Sequence, residues 1–187
     1  MIRNLFIEGE KLYLRAVELD DAPLIAACNN EPKVRRSFFT HTPVSIERQR
    51  EIIAGFYKPG ADYIPLAVCR KSDNCALGMT AYHRVDLVSR AAVYSICLAD
   101  TEAWGKGYAT ETTRLMLYYG FEILNLHRVQ LHVWEGNAAG IRCYERAGFQ
   151  REGLLREAMK HNGEYCSFLV MGILEDEWRA GQHRAKP

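Results

Sequence analysis

Eight consecutive residues, Trp104-Gly105-Lys106-Gly107-Tyr108-Ala109-Thr110-Glu111, have the types and order of an anion cradle. They follow a strand-like run, Ala91 to Leu98, and open a helical pattern that reaches about Leu124. Glycines at 105 and 107 let the backbone turn tightly and leave N–H groups unshielded by side chains. A helix starting there adds unpaired first-turn donors and the positive end of its dipole, a combination suited to phosphate. Downstream lie His132, Asn137 and Tyr144. An imidazole accepts a proton near neutrality. Asn137 and Tyr144 are seven residues apart, about two helical turns, so an amide and a phenol project to one side.

The elements that position these groups follow from pattern. Lys11 to Arg15 alternates like a first strand, and Glu18-Leu19-Asp20-Asp21 starts a helix running through Ile25 and Cys28 to Asn29-Asn30. Glu31 to Pro43 has no clear period; it reads either as a plain connection or as a wall of an acceptor pocket. Ser45 caps a second helix ending near Tyr57. Tyr63 to Arg70, Ala76 to Val85 and Ala91 to Leu98 form a meander. The cradle helix follows, with Ala109, Thr113, Met116, Gly120 and Ile123 on one face and Gly120 permitting close packing. Val129, Leu131 and Val133 alternate with Gln130, His132 and Trp134 in a strong strand. Asn137 caps a short helix ended by Gly148, and Gln150 to Leu174 makes a hairpin turning at Asn162-Gly163. Early sequential strands and one late β-α-β-α unit imply a mixed sheet with helices on both faces.

Composition narrows the partners. The 187 residues carry a net charge of +1, so no global field favours nucleic acid or an anionic membrane, and any anion must be caught locally. Cys28, Cys69, Cys75, Cys97, Cys143 and Cys166 form no C-x-x-C pair and have no histidine at zinc spacing. Reduced thiols, no metal, no signal sequence, no membrane span and a cytoplasmic location are therefore expected.

Three phosphate motifs compete for the cradle. The P-loop fails because Gly107, not Ser or Thr, follows Gly105-Lys106, and the dinucleotide fingerprint fails at Thr110. An ordinary glycine-bearing loop remains the plain alternative. The third pattern, Gln/Arg-x-x-Gly-x-Gly/Ala, is the acyl-CoA loop of the GNAT N-acetyltransferase superfamily; Gly107 and Ala109 satisfy it, with Trp104 in the leading position. The run Asn137 to Phe149 (NAAGIRCYERAGF) resembles a second GNAT segment through Asn137, Tyr144, Glu145, Gly148 and Phe149, with Gly140 where Ser or Ala is usual. With its Trp, the chain resembles the RimJ/RimL-like branch, which acetylates protein N-termini, polyamines or other small amines. Asn162-Gly163-Glu164-Tyr165…Met171 resembles that branch's closing hairpin, with Ser167 where Asp is frequent.

The resemblance implies one acetyltransferase domain over residues 1–187, frayed from about residue 180. It implies an α/β (α+β) GNAT fold: a mixed, mostly antiparallel sheet of about seven strands, splayed in the middle, with helices on both faces. Acetyl-CoA would be the cosubstrate, attacked directly by an amine in a ternary complex. Cosubstrate contacts would fall on Ile96, Cys97, Leu98, Trp104, Gly105, Lys106, Gly107, Tyr108, Ala109, Thr110, Asn137 and Tyr144, with backbone N–H groups near Ile96 to Leu98 stabilising the oxyanion. Tyr144 would act at the departing sulfur. A phenol near pKa 10 is a weaker acid than a thiol near 8.5, so full transfer costs about 2 kcal/mol and hydrogen bonding can be its main role. His132 would accept the amine's proton, with Glu135, Glu102 and His83 as further candidates. Arg35, Phe38, Phe39 and His83 would line the acceptor site, and the basic, aromatic Arg35 to Phe39 segment suits an acceptor bearing acidic groups. The rival reading is a non-catalytic acyl-CoA-binding sensor or interaction module. A homodimer through the closing hairpin and a monomer fit equally.

Overall fold

The structure is a computed structural model and describes residues 4–38, 40–58, 60–161 and 163–184. Its apolar runs become β1 (Ile7–Glu8), β2 (Leu12–Ala16), β3 (Ile64–Arg70), β4 (Ala76–Asp86), β5 (Ala91–Leu98), β6 (Arg128–Trp134), β7 (Gln150–His161) and β8 (Glu164–Leu174). They join in one sheet, ordered β1-β2-β3-β4-β5-β6-β8-β7. That is eight strands rather than about seven; the added β1 has two residues, too few to display a period. Every neighbouring pair is antiparallel except β5 and β6.

The sheet separates two cores because side chains alternate across a strand. Leu12, Leu14, Leu66, Val68, Tyr82, Tyr94, Val129 and Leu131 form the larger one, together with α4 (Tyr108–Tyr118) and α5 (Ala138–Ala147). Tyr13, Ala67 and Cys69 face the other way, against Ile25 of α1 (Ala22–Asn30) and Ile53 of α3 (Ile46–Ala54). The segment without a clear period contains α2 (Pro32–Phe38), whose Val34 is buried beside Cys28 and Cys97.

Three local features fix the elements that matter for the site. Ser45 caps α3 by accepting from Arg48 N, and Asn137 Oδ1 caps α5 by accepting from Gly140 N at 3.0 Å. Gly148 ends α5 at φ 107°, a left-handed conformation that glycine adopts freely. Glu111, in the first turn of α4, accepts from the backbone N–H groups of Lys11 (2.8 Å) and Leu12 (3.1 Å). A carboxylate holding two backbone donors ties the cradle helix to the start of β2.

The far end of the cradle helix departs from expectation. Residues Tyr119–Ile123 form a π turn, closed by Leu124 N to Tyr119 O at 3.0 Å. The wider turn rotates the apolar face, so Phe121 is buried while Ile123, expected on that face, is exposed. Gly120 does permit close packing: a Cβ there would lie 2.5 Å from Tyr82 Oη, which itself donates to Met116 O at 2.6 Å. At the C-terminal end of the described residues, α6 spans Glu175–Arg184. Three acids in its first turn complement the positive end of the dipole, and Arg179 bonds both Glu122 and Glu175.

Candidate active site

β5 and β6 are paired only from Ala91↔Arg128 to Val93↔Gln130, although both strands continue for several residues. Beyond that point they diverge, and a cavity of about 370 Å³ opens at the free end of β5. Its walls come from both sides of the sheet. Ile96, Leu98, Asn137, Cys143 and Tyr144 belong to the α4–α5 side, while Cys97 and Val34 belong to the α1–α2 side. The cavity is therefore reached from both faces of the sheet at the end of β5.

The cradle lies at one mouth of this cavity. Gly105 and Gly107 have φ of 76° and 85°, and a Cβ at either would meet nothing within 4 Å. Left-handed backbone there selects glycine, and the missing side chains leave open space in front of the helix. The first intrahelical bond is Glu111 N to Gly107 O at 3.0 Å, so the N–H groups of residues 108–110 point forward without a helical acceptor. Trp104, half exposed, donates its indole N–H to Leu98 O at 3.1 Å and so fastens the loop to the free end of β5.

Tyr144 is held by its ring. Tyr94 meets it edge-on at 6.3 Å and Phe149 at 6.0 Å, while Tyr94 and Phe149 stack at 6.2 Å. Beneath them Thr113 Oγ1 donates to Ala109 O at 2.8 Å, which leaves it to accept from Tyr94 Oη at 3.0 Å. Burial, with the neighbouring Cys143 and Cys97 thiols, pushes the Tyr144 phenol above its ordinary pKa. It stays protonated and available as a donor at neutral pH.

Most of the residues expected at the cosubstrate site meet here. Ile96, Cys97, Leu98, Trp104, Gly105, Gly107, Tyr108, Ala109, Thr110, Asn137 and Tyr144 all line the cavity, whereas Lys106 is exposed outside it. His132, Glu102 and Glu135 are exposed and do not line it. Arg35 is exposed on α2; Phe39 lies outside the described residues, as does the side chain of Phe38. His83 stands on the α1–α3 face of β4, its ring 4.7 Å from that of Tyr63 and its Nε2 2.7 Å from Ser95 Oγ. Sequence reading missed Arg142, Cys143 and Arg146, which line the cavity from α5. Their spacing with Ala139 at intervals of three and four was a readable helix face. Among the described residues neither arginine has a carboxylate partner.

The chain matches the acetyltransferase (GNAT) domain family over residues 11–150 and belongs to it. Spermidine N(1)-acetyltransferase of Vibrio cholerae serotype O1 is 30% identical over 170 residues, 91% of this chain and 96% of that one. YdaF of Bacillus subtilis strain 168, for which a ribosomal N-acetyltransferase role is proposed, is 31% identical over 91% of this chain and 94% of its own. A crystal structure of spermidine N-acetyltransferase from Vibrio cholerae with CoA and spermine has a TM-score of 0.84 at 28% identity, covering 91% of this chain and 99% of that one. The chain is an acetyl-CoA-dependent N-acetyltransferase of the RimJ/RimL-like kind, and the non-catalytic alternative is not favoured.

Proposed function

We propose that residues 1–187 act as one domain that acetylates the primary amine of a peptide N-terminus or of a small amino compound bearing acidic groups. The observation that carries this reading is the cavity at the free end of β5, with the cradle at its mouth and Cys97 and Val34 reaching it from the opposite face of the sheet. The cradle N–H groups, with Arg142 and Arg146, hold the phosphates; Asn137, its Oδ1 engaged in capping, offers its amide N–H₂ to the pantetheine arm. Acetyl-CoA supplies an activated carbonyl at the gap, where the backbone N–H groups of Ile96 to Leu98 stabilise developing negative charge and Tyr144 Oη donates to the sulfur.

On the acceptor face, His83, Ser95, Gln130, His132 and Trp134 carry no carboxylate; Arg84 and the Asp62 carboxylate both act on His83, and Arg35 is exposed on α2. Such a surface suits carboxylates on the acceptor better than the cationic chain of a polyamine. A polyamine acceptor is the second reading, favoured by the spermidine acetyltransferases among the relatives. A thiol-release screen over acidic N-terminal peptides, amino acids, spermidine and spermine decides between them. We expect kcat/KM at least tenfold higher for a peptide or amino acid, and the reverse order selects the polyamine. The free cysteines support a reducing, cytoplasmic location. A homodimer along the edge strand β7, which exposes Leu154 and Leu155, is expected to sediment at twice the chain mass.

Two expected outcomes concern the phosphate end. Gly107→Ala places a side chain on left-handed backbone, costing about 1–2 kcal/mol of stability. Calorimetry should also find CoA bound about tenfold more weakly. The double variant Arg142→Ala/Arg146→Ala should raise the KM for acetyl-CoA about tenfold at low salt, with kcat within about twofold and the difference shrinking as salt is added.

A further inference from the structure

We propose that Ser95 and His83 form the proton exit for the acceptor amine: Ser95 Oγ meets the incoming ammonium, and His83 Nε2 takes the proton through that hydroxyl. The inference rests on the transferase reading above.

The register places this pair. Val93 is the last β5 residue paired with β6, opposite Gln130. The next β5 side chain on the α1–α3 face is Ser95, the first beyond the closed part of the sheet. Continuing the register, His132 stands at the same height on the β6 side of the gap. Ser95 adjoins Ile96 and lies two residues before Cys97, both of which line the cavity. An amine approaching the acetyl group from the acceptor face would thus meet the Ser95 hydroxyl beside the Ile96–Cys97 wall of the cavity.

Behind Ser95 the geometry continues. His83 Nε2 lies 2.7 Å from Ser95 Oγ, and the Tyr63 ring, 4.7 Å away, packs against the imidazole. With its proton on Nδ1, neutral His83 accepts the hydroxyl hydrogen at Nε2. Burial lowers its pKa; Arg84 adds to this and Asp62 opposes it. The imidazole is therefore unprotonated at neutral pH and ready to accept. His132, across the gap, also faces this space but is exposed to solvent, and the Cys97 thiol, two residues along β5 on the same face, and Tyr63 are further titratable groups there.

The protons balance. An ammonium and a thioester give an amide, a thiol and one released proton. The first proton passes from the ammonium to Ser95 Oγ while the Ser95 hydrogen moves to His83 Nε2, from which it reaches solvent. The second leaves nitrogen after attack and ends on the departing sulfur. Ser95 emerges unchanged, and no oxidant or co-reactant is needed.

The test combines imidazole NMR with pH profiles, using spermidine and an acidic N-terminal peptide as amine probes at saturating acetyl-CoA. In the wild type, the His83 Cε1–H resonance should titrate below about pH 6.5. kcat/KM should rise with pH through that same value. His83→Gln should erase this limb and lower kcat about a hundredfold. Ser95→Ala should lower kcat about tenfold and leave the acetyl-CoA KM unchanged, and Ser95→Thr should restore most of the loss. His132→Gln should keep the limb. A limb that survives in His83→Gln, or that vanishes in His132→Gln, overturns the relay. Should His83→Gln fail to fold, an unaltered rate in Ser95→Ala overturns it equally. No thiol release by the wild type with any amine would instead sink the transferase reading beneath it.

Discussion

Replacing Gly78 by alanine is expected to lower kcat about a hundredfold while CoA affinity changes only a few-fold. Gly78 lies on β4 opposite Leu98, the free end of β5. A Cβ at this position would sit 2.0 Å from Cys97 O and 2.8 Å from Leu98 Cα. Both obstacles are backbone, so no rotamer change relieves them, and β5 must shift by more than about 1 Å to reach an ordinary contact. The displaced segment carries the N–H groups assigned to the oxyanion. A misplacement of that size costs on the order of a hundredfold in rate, and overpacking adds about 1–3 kcal/mol of lost stability. The cradle glycines sit on the α4 loop, tied to β5 through the Trp104–Leu98 hydrogen bond, so CoA binding should fall no more than a few-fold. Gly153→Ala is the control, because a Cβ there meets nothing within 4 Å. A kcat within about threefold of wild type for Gly78→Ala would remove the proposed role of this strand end.

Tyr144→Phe is expected to reduce kcat about 10- to 100-fold, with the acetyl-CoA KM within about twofold. The ring contacts with Tyr94 and Phe149 survive the substitution, so folding should be little affected. What is lost is one hydrogen bond to a sulfur acquiring negative charge, worth about 1.5–3 kcal/mol. The sign of the pKa change matters for the mechanism. Burial raises the phenol further above the thiol, making it a still weaker acid, so complete proton transfer is less favourable than in water. Stabilising the thiolate by donation is the role consistent with that direction. Turnover unchanged across the pH range in Tyr144→Phe would exclude both roles.

These variants separate what the loop does from what the strand end does, and the two were unequally legible. The cradle could be read because glycine types, a helix start and their spacing are local properties. Gly105 and Gly107 are left-handed, Asn137 and Ser45 are caps, and Gly148 is a terminator, all as their residue types require. Strand alternation similarly gave away which of Val129 to Trp134 face the core. Ile123 was misplaced because a π turn adds a residue that no 3.6-residue period anticipates.

By itself, then, the order of residues determined the longer strands, most helix faces, the cradle and the pairing of Asn137 with Tyr144 on one helix. The tertiary structure alone decided that β5 and β6 separate after Val93, that Gly78 is wedged against Cys97, and that His83 reaches Ser95. Those facts join residues from different strands, and their distances depend on register and sheet divergence. Periodicity constrains a residue's face, but not which neighbour it meets across a sheet.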